Sequence, residues 1–179
     1  MYITLSGQLG SGKSTVCNIL KEKHGYEVFS TGAIHRRLAA EMGLTTLEFN
    51  KELAKSSKID NMIDAALVRI AGENLDKDVV FDSRLAWHFI NTSFKVYLAV
   101  DPLVAAERVF SSRRLAEENY ASKEETIRGL TERRKMEEER FFRIYGVHCE
   151  RLENYDLIVD TSHLSPEEVV EKIIEGGMK

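Results

Sequence analysis

Apolar residues form five short runs along the chain, at residues 2–5, 26–29, 79–81, 94–100 and 155–159. The runs are rich in valine, isoleucine and aromatic residues and are short, so they predict β-strands rather than buried helices. Longer segments with a helical spacing of apolar residues separate them. This alternation is typical of an α/β fold in which a five-stranded parallel sheet carries helices on both faces.

Two stretches interrupt the regular alternation of strands and helices. Residues 44–77 lie between the second and third runs and predict two helices, one from Thr45 and one from about Asp60. Residues 111–147 lie between the fourth and fifth runs and predict a long helix from about Ser122 to residue 145. No segment has the composition of a linker, so we predict one domain over residues 1–179 with two helical excursions.

Residues 7–14 read G-Q-L-G-S-G-K-S and lie between the first predicted strand and a helical pattern. This spacing matches the phosphate-binding loop of P-loop proteins, where glycines let backbone N–H groups approach phosphate oxygens. The following helix adds the positive end of its dipole. Lys13 is predicted to reach the β- and γ-phosphates, and Ser14 to hold Mg²⁺. The nucleotide-binding residues predicted from this loop are Gly7, Gly10, Ser11, Gly12, Lys13, Ser14 and Thr15.

The residues after the second predicted strand are candidates for binding a second phosphate, because ligands of parallel sheets bind at the carboxyl ends of the strands. Thr31 and Gly32 begin a predicted helix there, and Arg36 follows one turn later. Helix N–H groups and a hydroxyl on one side, with a bidentate arginine on the other, suit an acceptor phosphate. The alternative is an ordinary helix cap with solvated arginines, and the segment alone favours neither.

Asp82 and Arg84 follow the third predicted strand. Asp82 is predicted to hold Mg²⁺ through water or to orient an attacking group, and Arg84 to bind phosphate. The alternative is that Asp82 caps the next helix and pairs with Arg84. An unpaired charge beside a buried strand is costly, which favours the functional interpretation. Trp87 and Phe89 are predicted to pack in the core, and nothing in the sequence pairs His88 with a nucleophile.

Arginines are concentrated between the fourth and fifth predicted strands. Arg133 and Arg140 are two helical turns apart and share one face of the predicted helix, while Arg113 lies at the end of the helix before it. Phosphoryl transfer spreads negative charge over oxygen atoms, so we expect these three arginines to close over the site from a mobile helical lid. The alternative is a solvated helix stabilised by i,i+4 pairs. The glutamates expected to form such pairs are Glu132, Glu137, Glu138 and Glu139.

The composition is that of a soluble globular protein, with 43% hydrophobic and 30% charged residues. The net charge is −4, whereas proteins that bind nucleic acids generally need an excess of basic residues. No apolar run is long enough to span a membrane. Met1 leads directly into the first strand, and Cys17 and Cys149 have no metal-binding or disulfide spacing. We therefore expect a cytoplasmic protein without nucleic-acid or membrane partners, and the lack of an obvious apolar patch favours a monomer.

Together these motifs resemble the nucleoside monophosphate kinase branch of P-loop kinases, specifically the short, archaeal-type cytidylate kinases. The resemblance runs nearly end to end and rests on residues 7–14, 30–36, 57–60, 82–85, 132–133, 139–146 and 155–162. It implies a P-loop NTPase fold with an acceptor-binding helical arm at residues 31–77 and a helical lid at residues 111–147. It also implies that the γ-phosphate of ATP, with Mg²⁺ bound, is transferred to CMP or dCMP.

Under this resemblance Lys13 and the lid arginines stabilise the transferring phosphoryl group, and Arg36 and Arg84 hold the acceptor phosphate. Four positions depart from the usual family pattern. The family usually has an acidic residue, an aromatic residue, a glycine and a tyrosine where this chain has Ala33, His35, Ser83 and Phe141. These departures concern the acceptor side and leave the phosphate-handling residues in place.

Two other functions are compatible with the same residues. A P-loop kinase of a small hydroxyl metabolite would use Asp82 as the base that removes the hydroxyl proton. A sensor or interaction protein would bind ATP without phosphorylating a metabolite and would contact a partner through its charged lid. Asp82→Asn separates the first from a nucleotide kinase, because it nearly abolishes transfer to an alcohol and only weakens transfer to a phosphate.

Overall fold

A sheet of five parallel strands in the order β2-β3-β1-β4-β5 forms the centre of the molecule. The computed structural model describes residues 1–74, 76–112 and 120–178. The predicted sheet is confirmed, and the strand ends lie within two residues of the apolar runs. The strands are β1 (Tyr2–Gly7), β2 (Glu27–Ser30), β3 (Val79–Asp82), β4 (Phe94–Ala99) and β5 (Leu157–Asp160).

Helices connect the strands and begin where the capping residues predict. Thr45 and Ser165 each form a capping box with the glutamate three residues later, Glu48 and Glu168. The helix expected from about Asp60 begins two residues earlier, at Lys58. The helices are α1 (Lys13–His24), α2 (Thr31–Glu41), α3 (Thr46–Leu53), α4 (Lys58–Glu73), α5 (Ala86–Phe89), α6 (Pro102–Ser111), α7 (Lys123–Tyr145) and α8 (Pro166–Gly177).

The core lies on both faces of the sheet. On one face α1 and α8 pack against β1 and β4, with Leu20 and Ile173 fully buried. On the other face α4 and α5 cover β3, and the side chains of Leu67 and Phe81 are fully buried. Strands covered on both faces are apolar throughout, which is why they read as continuous runs rather than alternating ones. Trp87, only 8% exposed, packs in the core as predicted.

The carboxyl ends of all five strands lie at one edge of the sheet. At that edge the chain leaves β1 and β3 in neighbouring positions, and β4 lies on the other side of β1. Connections that diverge to the two sides of a central strand leave a crevice above it, where ligands of α/β proteins bind. The helices α2, α3 and α4 lie in the segment predicted as the acceptor arm, residues 31–77; α3 packs against α2 and α7, and the start of α2 lines the crevice.

No helix in the described part of the chain is both long enough and apolar enough to cross a membrane. Cys17 is 2% exposed and packs as a small apolar side chain on α1, as expected.

Candidate active site

The loop between β1 and α1 requires glycine at defined positions. Gly10 has φ +79°, and a Cβ there would lie 2.8 Å from backbone atoms of Ala105 on α6. Gly7 has φ +137°, and its Cβ would lie 2.3 Å from the carbonyl oxygen of Leu98 on β4. Only glycine allows both the left-handed conformation and this close approach of backbones. The predicted phosphate loop therefore packs closely against β4 and α6, and glycine at positions 7 and 10 makes this packing possible.

Lys13 is the first residue of α1, and its side chain folds back over the loop. Its Nζ donates to the carbonyl oxygens of Gly7 and Gln8, at 2.9 and 2.7 Å. Burial, and then the nearby cation of Arg84, lower the pKa of Lys13 to about 8. An ammonium held in this way is stabilised by any anion that enters the loop.

A cleft of about 470 Å³ opens above the carboxyl edge of the sheet. Its wall brings together residues from the phosphate loop, the start of α2, the end of β3 and α7. Gly7 lies beside it and supplies a carbonyl group to Lys13, and Arg113 lies outside the described residues. The predicted site residues that line the cleft are Gly10, Ser11, Gly12, Lys13, Ser14, Thr15, Thr31, Gly32, Arg36, Asp82, Arg84, Arg133 and Arg140.

The start of α2 is tied to the end of β3. Ser30 caps α2 by accepting from the N–H of Ala33, and its hydroxyl donates to Oδ2 of Asp82 at 2.7 Å. Thr31 donates to the backbone carbonyl oxygen of Asp82 at 3.3 Å. A Cβ on Gly32 would lie 3.3 Å from Nη1 of Arg36, so the guanidinium folds over the first turn of the helix. The two segments predicted to bind phosphate therefore form one side of the cleft.

Asp82 does not have the structural role considered as an alternative. The N-cap of α5 is Leu85, which makes no side-chain capping bond, so Asp82 does not cap that helix. Arg84 forms its ion pair with Glu137 on α7 and not with Asp82. Asp82 is 8% exposed and lines the cleft, and among the described residues the hydroxyl of Ser30 donates to its carboxylate.

Glu137 joins two of the predicted arginines at the centre of the cleft. Its Oε2 lies 2.7 Å from Nη1 of Arg84, and its Oε1 lies 3.0 Å from Nε of Arg133. Burial alone would raise the pKa of Glu137, but the cations of Arg84, Arg133 and Arg140 outweigh it and lower the pKa to about 2. The carboxylate is therefore ionised at every physiological pH.

Glu137 forms the expected i,i+4 pair, but not on a solvated face of the helix. The i,i+4 pair with Arg133 exists, but Glu137 is only 5% exposed because this face of α7 is turned to the cleft. The spacing of residues 133, 137 and 140 places all three on one helix face, which was the sequence signal for a shared environment. Of the other glutamates, Glu139 lies opposite Lys135 on the exposed surface, as expected.

Arg140 is 2% exposed and connects α7 to α3 and α4. Its Nη1 donates to Oδ1 of Asn50 at 2.9 Å, and its Nε lies 3.3 Å from Oδ2 of Asp60. Further along α7, Arg143 donates to the backbone carbonyl oxygen of Ala54 at 2.7 Å. The helix α7, which was predicted to be part of a lid, is thus docked on α3 and α4. Arg140 lines the cleft while its buried partners Asn50 and Asp60 hold its side chain in place.

Two further residues of the cleft were not predicted as site residues from the sequence. Arg108 was not considered, and His35 was noted only as a departure from the family pattern. Arg108 lies on α6 at the other end of the cleft, where its Nη2 donates to the carbonyl oxygen of Thr161 at 2.7 Å. His35 lies among the arginines, with its ring centroid 5.8 Å from that of Phe49. Burial, and then Arg140, lower the pKa of His35 to about 4, so its ring is neutral at pH 7. In the described residues its Nε2 has no hydrogen-bond partner.

The sequence of the chain is similar to those of a family of kinases. A family model described as the cytidylate kinase-like family matches residues 2–163. The chain belongs to this family. It is 36% identical over 170 residues to a cytidylate kinase of Pyrococcus abyssi, covering 94% of this chain and 89% of the relative. It is 33% identical over 176 residues to a cytidylate kinase of Archaeoglobus fulgidus, covering 98% and 93%.

A third relative is a larger protein. The chain is 37% identical over 178 residues to an S-adenosylmethionine-dependent nucleotide dehydratase of Lacinutrix mariniflava, covering 99% of this chain but 36% of that protein. The likeness therefore concerns a part of the dehydratase that corresponds to the whole of this chain.

Solved structures share the fold at low sequence identity. Shikimate kinase from Bacteroides thetaiotaomicron has a TM-score of 0.60 and 16% identity, covering 98% of this chain and 97% of that one. Deoxyadenosine kinase from M. mycoides has a TM-score of 0.56 and 18% identity, covering 98% and 97%. These neighbours establish the P-loop kinase fold that the phosphate loop predicts. The family and the curated relatives, and not these structures, identify the protein as a kinase of the nucleoside monophosphate class.

Proposed function

We propose that this protein transfers the γ-phosphoryl group of ATP to CMP or dCMP. The observation that carries the proposal is that Lys13, Arg84 and Arg133, which come from three separate segments, line a single cleft with the start of α2. Phosphoryl transfer between two nucleotides needs a cationic centre with a phosphate site on each side. The lining of this cleft supports such an arrangement, because it includes both the phosphate loop and the turn at residues 31–36.

On the donor side, the phosphate loop binds the β- and γ-phosphates through backbone N–H groups and Lys13. Arg108, Thr161 and Leu164 line the end of the cleft next to this loop. We assign the nucleoside part of ATP to that end, because it is the part of the cleft beyond the phosphate loop and away from α2.

On the acceptor side, Thr31, Arg36 and Arg84 hold the acceptor phosphate. An oxygen of this phosphate attacks the γ-phosphorus of ATP, the bond to the β-phosphate oxygen breaks, and ADP leaves with the bonding electrons. Arg133 and Lys13 stabilise the charge on the transferring oxygens. The attacking oxygen is already anionic at pH 7, because the second pKa of a phosphate monoester is about 6, so no general base is required.

Ser14 and Asp82 fit a magnesium site. Both line the cleft, and a hydroxyl and a carboxylate are oxygen donors of the kind that Mg²⁺ prefers. A bound Mg²⁺ would neutralise charge on the β- and γ-phosphates of ATP. Asp82 already accepts a hydrogen bond from Ser30, which orients its carboxylate towards the cleft.

The choice of cytidine as acceptor is supported by the family and by the relatives named cytidylate kinase. The acceptor side of this chain differs from the usual family pattern at Ala33, His35, Ser83 and Phe141. Of these four residues, three line the cleft: His35, Ser83 and Phe141. A panel of acceptors is therefore the direct test of the assignment.

The test measures ADP release from Mg²⁺-ATP with CMP, dCMP, UMP, AMP, GMP and small alcohols including shikimate. We expect turnover with CMP or dCMP, and its loss in Lys13→Ala. Turnover with an alcohol alone would contradict the proposal and would assign Asp82 as a base. ATP binding without turnover on any acceptor would instead favour a sensor.

Asp82→Asn gives an independent check on the chemistry. For a nucleotide acceptor we expect a reduced rate that higher Mg²⁺ concentrations partly restore, because the carboxylate acts on the metal and not on a proton. A rate loss on the scale of a missing general base, about 10²–10⁴-fold, and insensitive to Mg²⁺ would indicate proton abstraction instead.

A further inference from the structure

Glu137 is a buried carboxylate in a site built to bind anions. Among the described residues that line the cleft, six are cationic: Lys13, Arg36, Arg84, Arg108, Arg133 and Arg140. The carboxylates there are Asp82 and Glu137. A negative charge next to phosphate groups opposes their binding by Coulomb repulsion. The position of Glu137 therefore needs an explanation other than attraction of substrate.

The contacts of Glu137 supply that explanation. One carboxylate oxygen contacts Arg84, which follows β3, and the other contacts Arg133, on the same helix as Glu137. A single group therefore links the strand end to the lid helix. The side chains of Arg84 and Arg133 are 19% and 12% exposed, so neither relies on bulk water to hold its place.

Glu137 holds each guanidinium group in a defined orientation. Its carboxylate contacts Nη1 of Arg84 and Nε of Arg133, and Nη1 of Arg133 also lies 3.5 Å from Oγ1 of Thr46 on α3. Without the carboxylate, two cations would face each other close to Lys13 and Arg140 in a poorly solvated cleft. Their repulsion would turn the side chains apart.

We propose that Glu137 is a positioning residue that fixes Arg84, at the acceptor phosphate, relative to Arg133, at the transferring phosphoryl group. This inference rests on the proposed kinase function and deepens it. Glu137 acts through the two arginines and does not touch the reacting atoms. Its contribution is specific to the transition state, because a displaced arginine binds a ground-state phosphate adequately but misses the geometry of transfer.

The test compares Glu137→Gln with wild type. Glutamine keeps the size of the side chain and removes its charge, and Glu139→Gln makes the same change at an exposed position of the same helix, where the side chain is 67% exposed. With Glu137→Gln we expect kcat to fall by about 100-fold, while the Kd for CMP, measured by calorimetry, stays unchanged or decreases. Glu139→Gln should change kcat by no more than about twofold.

This combination distinguishes positioning from general damage to the site. A disrupted cleft would weaken CMP binding together with kcat, whereas removal of a like charge next to the acceptor phosphate does not weaken it. A double-mutant cycle with Arg84→Met adds a second criterion. If Glu137 acts through Arg84, the double variant loses little more activity than Arg84→Met alone.

Glu137→Asp covers the case in which the glutamine variant does not fold. Aspartate keeps the buried charge but is one methylene shorter, so it reaches one arginine and not both. We expect a smaller loss of kcat with CMP affinity retained. The inference is overturned if the kcat of Glu137→Gln matches that of wild type. If only Glu137→Asp folds, the same criterion applies to that variant. It is also overturned if CMP binding falls as much as kcat, or if the cycle is additive. An inactive wild-type enzyme overturns the proposed function, and the inference with it.

Discussion

The ammonium group of Lys13 is buried against its own loop, with Gly7 and Gln8 as its acceptors. Its pKa of about 8 lies below the ordinary lysine value, chiefly because burial disfavours the charged form. Bound phosphates would favour the charged form again. The protonation of this one residue is therefore linked to ATP binding.

This linkage predicts a pH dependence of ATP affinity. Above pH 8 the free protein must take up a proton on Lys13 when ATP binds, so the Kd for ATP should rise by up to about tenfold per pH unit. Calorimetry at pH 7, 8 and 9, at constant Mg²⁺ concentration, measures it. In Lys13→Arg, whose side chain stays charged, the Kd should not vary over this range. A wild-type Kd that is flat to pH 9 would contradict the assignment.

Individual residues differ in how far the sequence predicts them. Lys13 and the loop glycines belong to a continuous motif, and each has the local geometry that the motif requires. Glu137 carries no such motif. Its function depends on Arg84, which is distant in sequence, so a pattern of neighbouring charges suggested only a solvated pair.

At the level of elements, α7 is the part of the molecule whose environment differs most from expectation. It begins at Lys123 and ends at Tyr145, as its capping and length predict. The face of α7 that carries Arg140, however, is buried against α3 and α4, where Arg140 contacts Asn50 and Asp60. Any movement of α7 must therefore include α3 and α4 or break these contacts.

Breaking this contact should destabilise the protein strongly. Arg140→Met leaves the Asp60 carboxylate, which is 4% exposed, without its cation. Loss of one partner of a buried ion pair typically lowers the free energy of unfolding by about 3–5 kcal/mol. Urea unfolding followed by circular dichroism measures the change. Lys135→Met, which removes an exposed pair with Glu139, should change stability by less than about 0.5 kcal/mol. Equal effects of the two variants would show that the Arg140 contact is not formed in solution.

The whole molecule is a scaffold that brings separate segments to one edge of a parallel sheet. The phosphate loop, the α2 turn and the end of β3 meet because β1, β2 and β3 are neighbours in the sheet. Ligands that join these segments should therefore stabilise the fold as a unit.

This predicts a thermal shift for each substrate. At 100 times its Kd a ligand adds about 2.7 kcal/mol to the free energy of unfolding, which for a chain of this size raises Tm by roughly 5–10 °C. Calorimetric scans with Mg²⁺-ATP and with CMP measure the two shifts separately. Lys13→Ala should lose most of the ATP shift and keep the CMP shift. A wild-type protein that CMP does not stabilise would contradict the acceptor assignment.

The sequence by itself determined the order of strands and helices, the phosphate loop and the helix caps. These features depend on residues that are close along the chain, such as Ser165 with Glu168 and Gly12 with Lys13. Only the tertiary structure decided which arginines and glutamates face the cleft. That choice depends on contacts such as Arg140 with Asn50, which are 90 residues apart. The packing of α7 on α3 and α4 buries one of its faces. The charged side chains on that face must then be paired with one another, and they line the cleft instead of the protein surface.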